Sequence, residues 1–146
     1  MHQLIYTSHA TVIMSDASLL ALLRWAREWN EQNGITGILL YGDQQFIQVI
    51  EGDVETVEYL YGHLLRDSRH YDVVELAYGP IAQRNFAQWK MGFHAATSAH
   101  LAQVRGYFDP EQLRLLNHNL STRDELLFEL LQGFAHSSSS NWHDAK

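Results

Sequence analysis

Residues 46–52, FIQVIEG, constrain the fold of this chain more than any other stretch. They are largely β-branched or aromatic, and Gly–Asp pairs stand before and after them, which is typical of a β-strand bounded by turns. Side chains alternate along a strand, so the stretch has two faces. One face carries Phe46, Gln48 and Ile50, and the other carries Ile47, Val49 and Glu51. Each face carries an apolar pair, which predicts a strand in the middle of a sheet.

Gln48 is then a buried amide with two donor and two acceptor sites. Leaving such a site unpaired costs about 1–3 kcal/mol. Two interpretations of Gln48 fit this strand taken alone. The amide is bonded to neighbouring backbone, or it contacts a ligand.

The composition is that of one soluble globular domain. The chain has 146 residues, 46% of them hydrophobic and 18% charged. A net charge of −7 argues against a general nucleic-acid binder. There is no cysteine, no basic leader before the first strand and no apolar run long enough for a membrane span. We therefore expect a cytoplasmic protein with no nucleic-acid or membrane partner.

Five strands and two helices are predicted in the first two thirds of the chain. Gly42 and Asp43 are predicted to turn the second strand into the third, and Gly79 and Pro80 to end the fourth. The strands cover residues 3–8, 35–41, 46–52, 71–78 and the end of 85–93. In the last of these, Trp89, Met91 and Phe93 alternate with Lys90 and Gly92.

The first helix is predicted to be capped by Ser15 or Asp16 and to end at Asn33 and Gly34. The second is predicted to be capped by Asp53 and to end before Asp67. Their apolar stripes have helical spacing. These stripes are Leu19, Leu22, Leu23, Trp25, Ala26 and Trp29 in the first helix and Val54, Val57, Leu60, Tyr61 and Leu64 in the second. Asn30 extends the first stripe, either as a helix-end bond to backbone or as a ligand contact.

The order βαββαββ predicts an α+β, ferredoxin-like sheet with both helices on one face. The opposite face would expose Ile5, Ile47 and Val49, so it needs a cover. We expect C-terminal helices to provide it. The predicted organisation is a domain over 1–95, a helical extension over 96–136 and a disordered polar tail over 137–146.

Several polar side chains are predicted to converge under the helices. The first and third strands are central neighbours in such a sheet, so Tyr6 and Gln48 can come within hydrogen-bond range. Asn30 and Ser8 lie close by, and Trp89 and Met91 lie at the edge. A flat ligand with amide-like edges, held between the helices, would satisfy these groups.

From Leu4 to Phe93 the chain closely resembles the BLUF domain, a sensor of blue light using FAD. The resemblance rests on LIYTS, the N-x-x-x-GITGILLY run from Asn30, FIQVIEG, DSRH and W-x-MGF, in the family's order and spacing. It implies FAD or FMN bound non-covalently between the two helices. It also implies photoactive roles for Tyr6, Gln48, Trp89 and Met91.

The resemblance further implies a set of residues that contact the flavin. Trp29 departs from the family, which often has a small polar residue or histidine before the asparagine, and leaves open whether an indole stacks on the ring. The set is Ser8, Leu22, Trp29, Asn30, Gln48, His63, Asp67, Arg69 and His70.

The mechanism implied is signalling without an enzymatic reaction. Light drives electron and proton transfer from Tyr6 to the flavin, and the Gln48 amide rearranges its hydrogen bonds, which gives a red-shifted state. The change passes through the fifth strand and the C-terminal helices to a downstream protein of unknown identity, and the chain is expected to form a homo-oligomer. The chain is similar to the short, stand-alone members of the family, which signal through partner proteins.

Other functions fit the sequence less well. An RNA-binding sheet would show aromatic residues and basic loops, and a small hydrolase would need a phosphate-binding glycine loop, which neither Gly34 nor Gly42 begins. The nine histidines have no metal-ligand spacing. A light-independent flavin-binding domain, or a structural interaction domain of ferredoxin-like fold, remains the alternative.

Overall fold

A computed structural model describes residues 1–95 of the chain. The described part contains five strands and two helices in the predicted order. Their bounds are β1 His2–Ala10, α1 Asp16–Asn33, β2 Thr36–Gly42, β3 Gln45–Gly52, α2 Val54–Arg66, β4 His70–Pro80 and β5 Gly92–Ala95.

The strands form one mixed sheet in the order β4-β1-β3-β2-β5. β3 lies in the middle, antiparallel to both neighbours, and β5 pairs in parallel with β2. This confirms the α+β, ferredoxin-like fold and the central position of residues 46–52. In the β1–β3 register Tyr6 stands opposite Gln48.

Both helices pack on the sheet face that carries Gln48. Leu19 and Leu23 of α1 join Phe46 and Phe93 in one buried cluster. Val57 and Leu60 of α2 join a second cluster, with Leu4, Tyr6, Ile35 and Ile50. The two clusters lie at opposite ends of β3, because each helix covers one half of the strand.

The ends of α1 form as predicted. The side chain of Ser15 accepts a hydrogen bond from the Ser18 amide at 3.1 Å, and Gly34 ends the helix with φ 67°. Asp53 stands at the N-cap position of α2, but its side chain makes no capping hydrogen bond.

Three strand boundaries differ from the prediction. The β2–β3 hairpin turns at Asp43 and Gln44, both with positive φ, because Gly42 is still paired with Gln45. β4 continues through the predicted turn as far as Pro80, where it pairs with His2. β5 begins only at Gly92, so the residues before it form a loop.

The sheet face away from the helices is buried as well. Ile5, Ile47 and Val49 are at most 3% exposed. The predicted helical extension over 96–136 and the polar tail over 137–146 lie outside the described residues.

Candidate functional site

A cavity opens between α1 and α2 above the middle of the sheet. Its empty space is about 640 Å³, which includes the part that is open to solvent. Its floor comes from β1, β2 and β3, and its walls come from the two helices and the turn after α2. The lining residues are Tyr6, Met14, Leu22, Trp25, Ala26, Asn30, Leu39, Phe46, Gln48, Leu60, Leu64, Asp67, Arg69 and His70.

Tyr6 and Gln48 lie at the floor of the cavity and form a chain of side-chain contacts with the buried Met91. The Tyr6 hydroxyl donates a hydrogen bond to Gln48 Oε1. Gln48 Nε2 in turn donates to the sulfur of Met91 at 3.5 Å. Sulfur is a weak acceptor, so the Gln48 N–H groups can still bind a stronger acceptor in the cavity.

Burial raises the pKa of the Tyr6 hydroxyl far above its ordinary value, and the Asp67 carboxylate acts in the same direction. The phenol therefore keeps its proton and remains a hydrogen-bond donor. A buried, protonated phenol bonded to an amide can lose an electron and a proton together.

Asn30 lies on the α1 wall, next to the loop before β5. Its Nδ2 donates to the backbone oxygen of Lys90 at 2.5 Å. The side chain is buried, and it lines the cavity. Both interpretations of Asn30 therefore remain compatible, because the amide nitrogen bonds to backbone while the side chain borders the ligand space.

His70 is held in one orientation at the edge of the cavity. Its Nε2 lies 2.5 Å from the backbone oxygen of Leu64, and its Nδ1 lies 2.8 Å from Ser8 Oγ. A carbonyl oxygen only accepts, so Nε2 carries the hydrogen and, in the neutral ring, the Ser8 hydroxyl donates to Nδ1. Ser8 thus positions His70 and does not itself line the cavity.

Asp67 and Arg69 form an ion pair at the mouth of the cavity. Arg69 donates through Nε and a terminal nitrogen to the Asp67 carboxylate, at 2.5 to 3.0 Å. The hydrogen bond from Arg69 lowers the pKa of Asp67. The guanidinium also lies 5.8 Å from the centre of the Trp25 ring.

Five of the predicted site residues are not among those that line the cavity: Ser8, Met91, Trp29, His63 and Trp89. Trp29 stacks on Tyr59 of α2, with ring centres 6.2 Å apart, and the ring of His63 lies 4.6 Å from that of Tyr59. Trp89 lies against Gly92, where an added Cβ would be 1.7 Å from the indole. Phe93 pairs with Leu39 and lies with it on the cavity face of the sheet. Since neighbouring strand residues face opposite sides, Gly92 faces away from the cavity, and so does the Trp89 indole that lies against it.

The sequence prediction did not assign several lining residues to the site. Trp25, Ala26, Leu60 and Leu64 were predicted as buried stripe positions, although the structure leaves Trp25 48% exposed at the cavity. The remaining ones are Met14, Leu39 and Phe46. Phe46 and Leu39 lie on the same sheet face as Gln48, so strand alternation could have assigned them to the site. Met14 lies in a loop, where no periodicity could have done so.

Residues 1–95 contain neither a cluster of metal ligands nor a helix of the membrane-spanning kind. No group of three or more histidine or acidic side chains there could hold a metal ion. No helix in the same part of the chain is long and apolar enough to cross a membrane.

The cavity fits a flat ligand with polar edges. Its walls are mainly apolar, and the phenol, two amides and a guanidinium are arranged around it. The isoalloxazine ring of a flavin has this character, since one edge carries carbonyl oxygens and an imide N–H. Fold and site therefore define a ferredoxin-like domain with a cavity suited to a flavin-like ligand between two helices.

Comparison with known proteins agrees with this class. The family model described as sensors of blue-light using FAD, BLUF, matches residues 1–92. Photoactivated adenylate cyclase subunit beta of Euglena longa is 40% identical over 89 residues, which are 60% of this chain and 10% of that protein. The chain thus matches only a tenth of this relative's length.

Two solved structures have the same fold. BlrB, a BLUF protein in its dark state, is 29% identical with a TM-score of 0.66, covering 93% of this chain and 96% of BlrB. Klebsiella pneumoniae BlrP1 with FMN and cyclic diGMP is 32% identical with a TM-score of 0.70, covering 92% of this chain and 34% of BlrP1. The chain belongs to the BLUF family of blue-light sensors that use FAD.

Proposed function

We propose that the contact chain Tyr6–Gln48–Met91 is the light-sensitive switch of this photoreceptor. The observation that carries the proposal is the position of Tyr6 and Gln48 at the cavity floor, where the amide of Gln48 links a phenol to Met91 in the segment before β5. Bound flavin supplies a strong one-electron oxidant when it absorbs blue light. Asn30 and Gln48 would hold its polar edge, and Leu22 and the other apolar residues its rings.

Tyr6 is the electron and proton donor in this proposal. It loses one electron and its phenolic proton after excitation and regains both before the cycle ends, so no substrate is consumed. Gln48 accepts the Tyr6 hydrogen bond through Oε1, and that bond is lost while the proton is away. The amide is then free to rotate.

Rotation of the Gln48 amide changes its contact with Met91. The amide oxygen would replace Nε2 beside the sulfur, so an attractive N–H contact becomes one between two electron-rich atoms. Met91 is therefore pushed away, and the loop that carries it moves. Trp89 belongs to the same loop, and its indole on the opposite face would carry the movement through the sheet.

Light-induced absorbance of the purified protein tests this switch. We expect a yellow protein whose absorption shifts slightly to the red under blue light and returns in darkness. Tyr6→Phe and Gln48→Leu should bind flavin without forming the red-shifted state. Matched controls are the exposed Tyr71→Phe on β4 and Gln45→Leu at the start of β3, which should keep the photocycle.

Normal photocycles in both variants would contradict the switch. A yellow parent protein without any light response would instead support the alternative, a light-independent flavin-binding domain. A colourless protein that cannot be reconstituted with flavin would support a structural interaction domain.

The output is proposed to be a change of assembly or of a contact with a downstream protein. The matched cyclase subunit is about ten times longer than the stretch it shares with this chain, so in that relative the BLUF part is joined to further protein. We propose that this chain acts in the cytoplasm, as a homo-oligomer and without an enzymatic activity of its own.

A further inference from the structure

Arg27 of α1 holds the backbone of the residue that contacts Gln48. Its Nε and one terminal nitrogen both donate to the backbone oxygen of Met91, each at 3.1 Å. The guanidinium also lies over the buried ring of Phe93, 5.6 Å from its centre. The flat guanidinium is thus fixed by the Met91 carbonyl and by the Phe93 ring.

The loop before β5 is bonded through three successive carbonyl groups. The oxygen of Trp89 accepts from the Gly37 amide at 2.8 Å, and that of Lys90 accepts from Asn30. The oxygen of Met91 accepts from Arg27. Asn30 also borders the cavity, whereas Arg27 does not line it. Substituting Arg27 therefore changes the hold on the loop without removing a cavity wall.

We propose that Arg27 is a positioning residue that keeps Met91 against Gln48 and thereby controls how fast the light-induced state reverts. This inference rests on the proposed switch. Reversion requires the Met91 sulfur to return within reach of Gln48 Nε2. Arg27 fixes the carbonyl group of that same residue, so it favours the arrangement to which the protein returns.

The test compares dark-recovery rates of Arg27→Met and Arg24→Met. Both variants remove a guanidinium from α1 and keep an unbranched side chain. Arg24 is exposed, and the hydrogen bonds to the loop carbonyls come from other residues. We expect Arg27→Met to bind flavin with an unchanged dark spectrum and to recover on the order of five-fold more slowly. Arg24→Met should recover at the parent rate.

A double-mutant cycle separates positioning from general stability. Met91→Leu removes the sulfur contact, so adding Arg27→Met to it should change the recovery rate by less than about two-fold. Arg27→Lys keeps the charge but cannot donate two parallel hydrogen bonds from a planar group, so its recovery should be intermediate. That variant also serves as the test if Arg27→Met does not fold.

Parent-like recovery of Arg27→Met and Arg27→Lys would overturn the inference. If Arg27→Met slowed recovery equally in the parent and in Met91→Leu, the inference would also be overturned, because Arg27 would then act through a different residue. A parent protein with no light response would contradict the proposed switch itself. A parent with a photocycle whose Arg27 variants recover at the parent rate would contradict only the role of Arg27.

Discussion

Tyr6 and Gln48 meet because they occupy paired positions on the two central strands. Residues with period two on a strand share a face, and the register sets Tyr6 opposite Gln48. Tyr6 is 3% exposed and Gln48 is 8% exposed. Burial at this position is also what holds the pKa of the Tyr6 hydroxyl above its ordinary value.

The raised pKa of Tyr6 predicts a loss of stability at alkaline pH. An unfolded tyrosine ionises near pH 10, whereas folded Tyr6 keeps its proton well above that pH. From about pH 10 upward the unfolded chain binds fewer protons, so the free energy of unfolding falls by up to about 1.4 kcal/mol per pH unit.

Denaturant unfolding of the parent and of Tyr6→Phe at pH 9 and pH 11 checks this expectation. The decrease between the two pH values should be smaller in Tyr6→Phe, because phenylalanine has no proton to lose. Tyr71→Phe, at an exposed position, is the matched control. An equal decrease in all three proteins would show that Tyr6 ionises like an exposed tyrosine.

Sequence periodicity located strand residues of the site better than helix residues. Period two assigns a strand residue to one of only two faces, so Tyr6, Ser8 and Gln48 could be assigned to the helix side. A helical stripe covers a broader arc, and the rotation of one helix against another decides what each residue contacts. Trp29 therefore stacks on Tyr59, where no pattern in the sequence would place it.

At the scale of elements, the loop of residues 81–91 was the least predictable part of the described chain. Trp89, Met91 and Phe93 alternate in sequence like strand residues, but the strand begins at Gly92. The hydrogen bonds that hold the end of this loop come from Gly37, Asn30 and Arg27, more than fifty residues earlier. Local sequence carries no signal for contacts at that separation.

Glu51 anchors the beginning of this loop on the face away from the cavity. Its carboxylate is fully buried and accepts from the backbone amides of Asn85 and Phe86, at 3.0 and 2.9 Å, and from Gln3. Burial raises the pKa of Glu51, while these donors act in the opposite direction. The neighbouring Arg84 donates to the Glu51 backbone oxygen at 3.0 Å.

Glu51→Gln should therefore destabilise the domain by about 2 kcal/mol, because an amide N–H₂ would face backbone N–H donors. Denaturant unfolding measures the change in the free energy of unfolding. Glu28→Gln, on the exposed surface of α1, should remain within about 0.5 kcal/mol of the parent. A Glu51→Gln protein as stable as the Glu28 variant would mean that the loop is held without this carboxylate.

At the scale of the whole molecule, both faces of the sheet are buried while the described chain ends at the fifth strand. Ile5, Ile47 and Val49 are buried on the face without α1 and α2. In the sequence that follows, Leu113, Leu116 and Leu120 have the helical spacing expected of a cover. A second apolar group is made by Leu126, Leu127, Leu130, Leu131 and Phe134.

We propose that the second group joins protomers and that the loop before β5 transmits the light signal to this contact. Five further apolar residues exceed what one short helix needs to cover a five-stranded sheet. In light scattering after size exclusion, the full chain should be larger than a monomer, with a mass that differs between dark and light. A chain that ends at Gly106 should be monomeric.

Leu127→Asp with Leu131→Asp in the full chain supplies the sharper comparison, since it leaves the first leucine group intact. This variant should keep flavin and its photocycle but elute as a monomer. If the parent chain is monomeric in both dark and light, the C-terminal leucine groups would only cover the sheet of their own domain. The light signal would then have to leave through the loop and β5 themselves, to a different protein.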